Sequence, residues 1–263
     1  MNLIFYLLAI ATGVVTGGIT SLIGASGVMI IVPILTMLFK LNVHTAIGTS
    51  LFVDVIASLT VAYSYYKNGN IELKSGIWIA LTSIIGAQLG ALFASKMGEG
   101  NLSTSFGVVL IIAGLSMLRK SYKEKKDPSD SVSGFIQFKA EWQKILAALI
   151  IGLGIGVLSG IFGAGGGVMI LLALIILMSF PLHKAIGTST LIMAITALSS
   201  TVGYAARGNI DILLGIILSV GAVLGGVLGS RYANKVNEKT LQRVVGICFM
   251  SMGVIMTIIE IIK

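Results

Sequence analysis

The sequence has few charged residues, only 11% of its 263 positions. A soluble domain carries roughly 25%, so this chain lacks the charge needed to cover a water-exposed surface. Hydrophobic residues instead make up 56%, and apolar runs near the ~20-residue length that crosses a bilayer recur along the chain. The composition excludes an ordinary soluble domain and predicts an integral membrane protein with no separate soluble domain.

Residues that build disulfides, metal sites and nucleotide sites are also scarce. The only cysteine is Cys248, which excludes an intrachain disulfide and a multi-cysteine metal site. The two histidines have no carboxylate cluster beside them, so no metal site is expected. No glycine-rich phosphate loop ending in Lys-Ser or Lys-Thr is present, which argues against ATP hydrolysis. We therefore expect no cofactor.

The net charge of +8 does not indicate a nucleic-acid partner, because the basic residues fall in loops, where a membrane protein concentrates Lys and Arg on its cytoplasmic side. The expected partners are the lipid bilayer and a small substrate, and homo-oligomerisation is left open. The first apolar run has no Lys or Arg before it, unlike a cleavable signal peptide, and is interpreted as the first membrane segment.

One short phrase occurs twice in the sequence. His44 begins "HTAIGTS", and "HKAIGTS" begins at His183, 139 positions later. The same offset carries Gly-Asn-Ile at 69–71 onto Gly-Asn-Ile at 208–210. The chain is thus predicted to be a duplication, with a first membrane repeat at 1–120, a polar cytoplasmic linker at 121–144 and a second membrane repeat at 145–263.

Each half contains a glycine-rich break followed by a short apolar segment. The breaks are 24–27 and 163–167, and the segments are 28–39 and 168–179. At about 1.5 Å per residue such a segment reaches only about 18 Å, short of a ~30 Å hydrocarbon core. We predict an all-α, polytopic transmembrane helix bundle in which each half has a glycine-broken hairpin plus three spanning helices. Two full crossings in place of each hairpin remain the alternative.

Loop charges indicate how the halves are oriented. The 119–144 segment is rich in Lys and is placed in the cytoplasm, which puts the 67–74 loop inside and the 96–100 loop outside. The equivalent of that outside loop in the second half, 231–243, is strongly basic and is predicted to lie inside. The halves are therefore predicted to be inverted repeats. A parallel repeat with an even number of crossings per half is the alternative.

Inverted repeats with broken helices are a transporter plan, with the site where half-helix ends meet near the midplane. A helix that begins at a glycine break presents free N–H groups and a positive dipole end to an anion. The duplicated hydroxyls of "GTS" can donate to the same oxyanion. Alternatively, they bond only their own helix, and the glycines serve close helix packing, as we expect for Gly13, Gly17, Gly86, Gly90, Gly225 and Gly229. The predicted substrate-binding residues are Gly24, Ser26, Gly27, Thr49, Ser50, Gly165, Gly166, Gly167, Thr188 and Ser189.

Three titratable residues are candidates for proton coupling. Asp54 lies inside a membrane segment, where a carboxylate is costly and indicates function, and its counterpart in the second half is Met193. A structural hydrogen bond across the bundle is the alternative. His44 and His183 precede two membrane segments, and histidine is a residue type suited to a proton relay, although a histidine there also serves as a wetted capping residue.

The motifs "GASGVMIIVPIL" with "HTAIGTS", repeated as "GAGGGVMILLAL" with "HKAIGTS", resemble those of the TauE/SafE family of sulfite exporters over essentially the whole chain. The resemblance implies a multi-pass carrier of the cytoplasmic membrane for sulfite, sulfonates or related sulfur oxyanions. The leading hypothesis is a secondary transporter, not an enzyme, that exports a small sulfur oxyanion. A membrane-embedded enzyme or a channel for small sulfur compounds is the alternative.

Overall fold

The computed structural model describes residues 3–94, 111–112, 114–119, 141–162, 166–176, 178 and 180–262. The described part of the chain is helical and contains no strand, as predicted. Nine helices have both ends there: α1 (Leu3–Ile23), α2 (Val28–Met37), α3 (Val43–Lys67), α4 (Leu73–Ala94), α5 (Glu141–Phe162), α6 (Gly166–Ile176), α7 (Leu182–Ala205), α8 (Ile212–Lys235) and α9 (Glu238–Ile262). Residues 111–112 and 114–119 are also helical.

Four helices in the described part of the chain are long and apolar enough to cross a membrane, and they are Ile4–Ile23 within α1, then α3, α7 and α8. The sequence predicts apolar segments at 3–22, 45–66, 184–205 and 212–231, and the ends of these helices agree with them to within a few residues. The expected linker at 121–144 falls mostly outside the described residues. Its last part is helical, since α5 begins at Glu141.

Short polar side chains set where several helices begin. Asn42 accepts a hydrogen bond from Thr45 N at 2.8 Å and caps α3. Asp211 accepts one from Leu214 N at 3.0 Å and caps α8. A cap of this type satisfies one of the N–H groups that a helix start leaves unbonded. The Asn42 cap lies just before "HTAIGTS", and the Asp211 cap lies just after the second Gly-Asn-Ile.

The two halves pack through equivalent helices. α1 packs along α8, and α5 packs along α4. α5 is the counterpart of α1 in the second half, and α4 is the counterpart of α8 in the first half. Glycines allow both close approaches. A Cβ at Gly17 would overlap the carbonyl oxygen of Ala222, and a Cβ at Gly156 would overlap that of Ser83. The partners in the second pair lie 139 positions from those in the first, so the two contacts repeat each other.

The packing role expected for glycines is confirmed where the structure describes them. A Cβ would overlap atoms of the neighbouring helix at each of Gly13, Gly17, Gly86, Gly225 and Gly229. Small residues at such crossings let helix backbones approach, which is the main source of association between helices in lipid. Gly90 is not among the glycines whose surroundings are described.

The central helices α3 and α7 are counterparts of each other, and they run antiparallel. Gly48, near the start of α3, lies against Tyr204 near the end of α7. In the same way Gly187, near the start of α7, lies against Tyr65 near the end of α3. The helical residues 114–118 and α9 also run antiparallel, since Gly114 contacts Met250 whereas Leu118 contacts Gly246.

Candidate functional site

The first glycine break separates α1 from α2. Gly24 has a φ of +66°, a left-handed conformation that side chains other than glycine rarely adopt. The chain then turns back, because the rings of Phe5 and Phe39, at the two outer ends of this unit, have centroids only 5.7 Å apart. α2 has 10 residues and is about 15 Å long. α1 and α2 therefore form a hairpin whose turn is the break at 24–27.

Asp54 of α3 lies at the start of α2. Its Oδ2 accepts a hydrogen bond from Ser26 Oγ at 2.8 Å, and its Oδ1 accepts one from Gly27 N at 3.2 Å. The side chain is 2% exposed. A carboxylate is favourable at the positive end of a helix, and these two donors replace part of its lost hydration. In this structure the α2 N-terminus thus binds a carboxylate of the protein itself.

The second break meets the first. α6 begins at Gly166, and a Cβ on Gly167 would lie 2.9 Å from Ser26 N and 3.0 Å from Ala25 Cα. The same Cβ would touch the sulfur of Met193. The start of α6 therefore faces a thioether at the position where the start of α2 faces Asp54. Gly165 and the rest of 163–165 lie outside the described residues.

The two serines of the repeated motif each bond a carbonyl of their own helix, and one of them also contacts the first break. Ser189 Oγ donates to Ile186 O at 2.9 Å and also lies 3.4 Å from Gly24 O, so it contacts the first break. Ser50 Oγ donates to Ile47 O of its own helix at 2.8 Å. Both are buried. The structure thus brings Ser189 together with Gly24, Ser26, Gly27 and Gly167. Their role in substrate binding stays a prediction.

The two threonines of the motif bond the opposite half of the chain. Thr49 Oγ1 accepts a hydrogen bond from Asp211 N at 2.9 Å, and Thr188 Oγ1 accepts one from Glu72 N at 3.1 Å. The glycines beside them allow this approach, since a Cβ on Gly48 would overlap the Asn209 carbonyl oxygen, and one on Gly187 would overlap the equivalent carbonyl of the other Gly-Asn-Ile turn. The "IGT" residues of each half therefore pack against the Gly-Asn-Ile turn of the other half and bond the residue that follows that turn.

Replacing Thr49 by valine is expected to destabilise the protein by about 1–3 kcal/mol, because Asp211 N loses its acceptor. Thr60→Val is the matched control on the same helix, since Thr60 Oγ1 bonds only Ile56 O within α3. Thermal unfolding of the purified proteins measures the difference. Unchanged stability of Thr49→Val together with lost transport would instead favour direct substrate binding by Thr49.

The histidines lie away from the breaks. His44 is exposed in the first turn of α3, and Asp54 follows it by ten residues, about 15 Å along the helix axis. His183 Nε2 lies 3.0 Å from Ala233 O at the end of α8. A carbonyl only accepts, so this ring nitrogen carries the proton. Both positions agree with residues at helix entrances, and proton coupling by them stays a prediction.

The sequence reasoning missed partners that act across the two halves. The Gly-Asn-Ile turns were visible as a repeat, but nothing in the sequence joined them to "IGT". Met193 was noted only as the residue opposite Asp54, yet it contacts Gly167. Among the described residues, no three His, Cys, Asp or Glu side chains group together as they would around a metal ion.

Comparison with known proteins shows which family the chain belongs to. A family model described as sulfite exporter TauE/SafE matches residues 9–256. The Bacillus subtilis "probable membrane transporter protein YdhB" is 30% identical over 228 residues, covering 86% of this chain and 89% of that protein. The "probable membrane transporter protein YunE" of the same species is 28% identical over 264 residues, covering 94% of this chain and 96% of that protein.

A "probable membrane transporter protein" of Xylella fastidiosa is 27% identical over 251 residues, covering 94% of this chain and 93% of that protein. No solved structure matches the chain significantly. The family match spans nearly the whole chain, and the relatives are described as membrane transporters rather than enzymes. The chain belongs to the TauE/SafE sulfite exporter family of membrane transporters.

Proposed function

We propose that this transporter exports a small sulfur oxyanion, of the sulfite or organosulfonate class, through a site where the two glycine breaks meet. The observation that carries the proposal is the contact between Gly167 and Ser26, which joins the start of α6 to the first break. A helix N-terminus at such a point attracts an anion, and glycine lets the anion reach the backbone. The family model, described as a sulfite exporter, supports this substrate class.

The anion is proposed to bind on the second-half side of the breaks. The start of α2 already holds the carboxylate of Asp54, whereas the start of α6 faces the uncharged Met193. A second negative charge beside Asp54 would be repelled, and repulsion between buried charges is weakly screened. Ser189 lies at the junction, and its hydroxyl would donate to the anion after rotating away from the Ile186 carbonyl, whereas the Ser26 hydroxyl already donates to Asp54.

The halves are proposed to be inverted in the membrane. Counterpart helices that pack antiparallel, as α3 and α7 do, are related by a two-fold axis perpendicular to them. If α3 and α7 cross the bilayer, that axis lies in the membrane plane, as in transporters with inverted repeats. The basic loops agree with it: Asn70 Nδ2 bonds Asn234 Oδ1 at 2.7 Å, so the 67–74 and 231–243 loops share one end of the bundle.

That end is proposed to face the cytoplasm, because cytoplasmic loops are enriched in Lys and Arg, and the membrane is proposed to be the cell membrane. Under this topology, Lys67 and Arg231 lie inside, whereas His44 and Arg207 lie outside. All four side chains are exposed. The linker at 121–144 would then connect the two membrane repeats on the inner side.

Single cysteines placed at these positions in a Cys248→Ser background are expected to reveal the topology. A membrane-impermeant maleimide should label His44→Cys and Arg207→Cys in intact cells. Lys67→Cys and Arg231→Cys should react only after the membrane is permeabilised. Labelling of Lys67→Cys and Arg207→Cys from the same side would contradict inversion, because these positions are almost exactly equivalent in the two halves.

The substrate class is tested by flux into liposomes containing the purified protein, with sulfite, thiosulfate, sulfoacetate and sulfate supplied in turn. Saturable flux of at least one sulfur oxyanion is expected, with sulfite or a sulfonate preferred. Folding is checked separately by thermal unfolding. Absence of saturable flux for every anion, in protein that unfolds cooperatively, would overturn the proposal, and non-saturating flux would indicate a channel.

A further inference from the structure

Two buried hydroxyl groups near the first break lack hydrogen-bond partners within the described part of the chain. They are Thr20 Oγ1 of α1 and Ser58 Oγ of α3, whose residues are 1% and 0% exposed. Other hydroxyls on the same helices bond a carbonyl one turn back, as Thr16 and Thr60 do. A buried polar atom left without a partner costs free energy, so the two exceptions call for a ligand.

Both hydroxyls lie on helix faces that turn toward the break. Thr16 and Thr20 share one face of α1, and Asp54 and Ser58 share one face of α3, since residues four apart lie above one another. Gly27 touches both faces: it donates to Asp54, and a Cβ built on it would lie 3.0 Å from Thr16 Cβ.

The two helices also run in the same direction. Tyr65 OH, near the end of α3, donates to Ser21 O, near the end of α1, at 2.9 Å. Thr20 follows Thr16 by one turn, and Ser58 follows Asp54 by one turn. The two hydroxyls are therefore displaced in the same direction from Gly27, one on each of the two helices that contact it.

We propose that Thr20, Asp54 and Ser58 form a sodium-ion site beside the anion site. Hydroxyl and carboxylate oxygens are ligands of hard cations. A single carboxylate balances one positive charge, which favours a monovalent ion over a divalent one. The C-terminal end of α1, where its last carbonyl groups lie, is the negative end of the helix dipole and also favours a cation.

The chemistry also argues against the other small ligands. An anion would be repelled by Asp54. A proton would reside on Asp54 itself, and its single O–H could donate to only one of the two hydroxyls. A sodium ion satisfies all three side chains at once, and it offsets the cost of burying the carboxylate.

The second half cannot build the same site. The counterparts of Asp54 and Ser58, 139 positions later, are Met193 and Ala197. The two half-sites have therefore diverged: the first suits a cation and the second, at the start of α6, suits an anion. Binding of sodium does not depend on the proposed function, whereas the placement of the sodium site beside an anion site rests on it.

The test is sodium binding to the purified protein in lipid nanodiscs, in a choline buffer without any sulfur anion. Radioactive sodium is expected to bind saturably, with displacement by lithium and not by potassium. Ser58→Ala should weaken binding about tenfold, and Asp54→Asn should abolish it. The matched control is Ala197→Ser, which changes the equivalent position of the second half and should leave affinity unchanged.

The outcomes separate the two proposals. No saturable sodium binding by the folded wild-type protein, or equal affinity in Ser58→Ala, overturns the sodium site. Neither result bears on the proposed transport function, which the sulfite flux tests separately. Sodium binding without flux of any sulfur oxyanion contradicts the proposed function alone. If Asp54→Asn fails to fold, Thr20→Val and Ser58→Ala carry the test, because each removes only a hydroxyl.

Discussion

Gly167→Ala is expected to lower sulfur-oxyanion flux about 10- to 100-fold while the protein still folds. The added methyl group would lie 2.9 Å from Ser26 N and 3.0 Å from Ala25 Cα. These are backbone atoms, which cannot move aside as a flexible side chain can. Overpacking of this kind costs about 1–3 kcal/mol, and each 1.4 kcal/mol corresponds to a factor of ten in an equilibrium.

The displacement would separate the two breaks at the point where the anion is proposed to bind. The matched control is Gly203→Ala in α7, where nothing lies within 4 Å of the new Cβ. Initial rates of sulfite uptake into liposomes, normalised to folded protein, compare the two variants with the wild type. Wild-type flux in Gly167→Ala would place the substrate elsewhere in the bundle.

Gly17→Ala is expected to cost about 3 kcal/mol of stability or more, since the new methyl group would overlap the Ala222 carbonyl oxygen. The α1–α8 crossing cannot relieve this by a rotamer change, so the two helices must move apart. Loss of their close contact removes much of what holds these halves together in lipid.

The neighbouring residue provides the control for this change. Gly18 is on the same helix, yet nothing lies within 4 Å of a Cβ built on it. Gly18→Ala is expected to keep or slightly raise stability, because alanine favours a helix by up to about 1 kcal/mol over glycine. Unfolding midpoints in a heat or denaturant series measure both variants. Equal stability of the two would refute the packing geometry described for α1 and α8.

The sequence allowed the helices and the duplication to be predicted well. Apolar runs and an offset of 139 located the segments that the structure describes to within a few residues, because helix formation in a membrane protein depends mainly on local composition. The hairpin was predicted from the shortness of 28–39, and the contact of Phe5 with Phe39 agrees with it. The packing glycines were also identifiable, since small residues recur along the same helix face.

The site could be predicted only in part. The sequence treats "GTS" as one unit, but its threonine bonds a turn of the other half, and Ser189 contacts the first break. Those partners lie more than a hundred positions away in the chain, so no local pattern reports them. Asp54 was recognised as costly, whereas its donors Ser26 and Gly27 depend on how α2 folds back against α3.

The reciprocal contacts between "IGT" of one half and Gly-Asn-Ile of the other suggest an evolutionary origin for the two-half chain. One half contains both members of the contact, for instance Thr49 together with the turn at 69–71. Two identical copies placed antiparallel would satisfy the contact twice. An ancestral single-half chain could thus have assembled as a homodimer with no new surface, and gene fusion would only have tethered it. After fusion, positions such as 54 and 193 became free to differ, which a homodimer encoded by one gene does not permit.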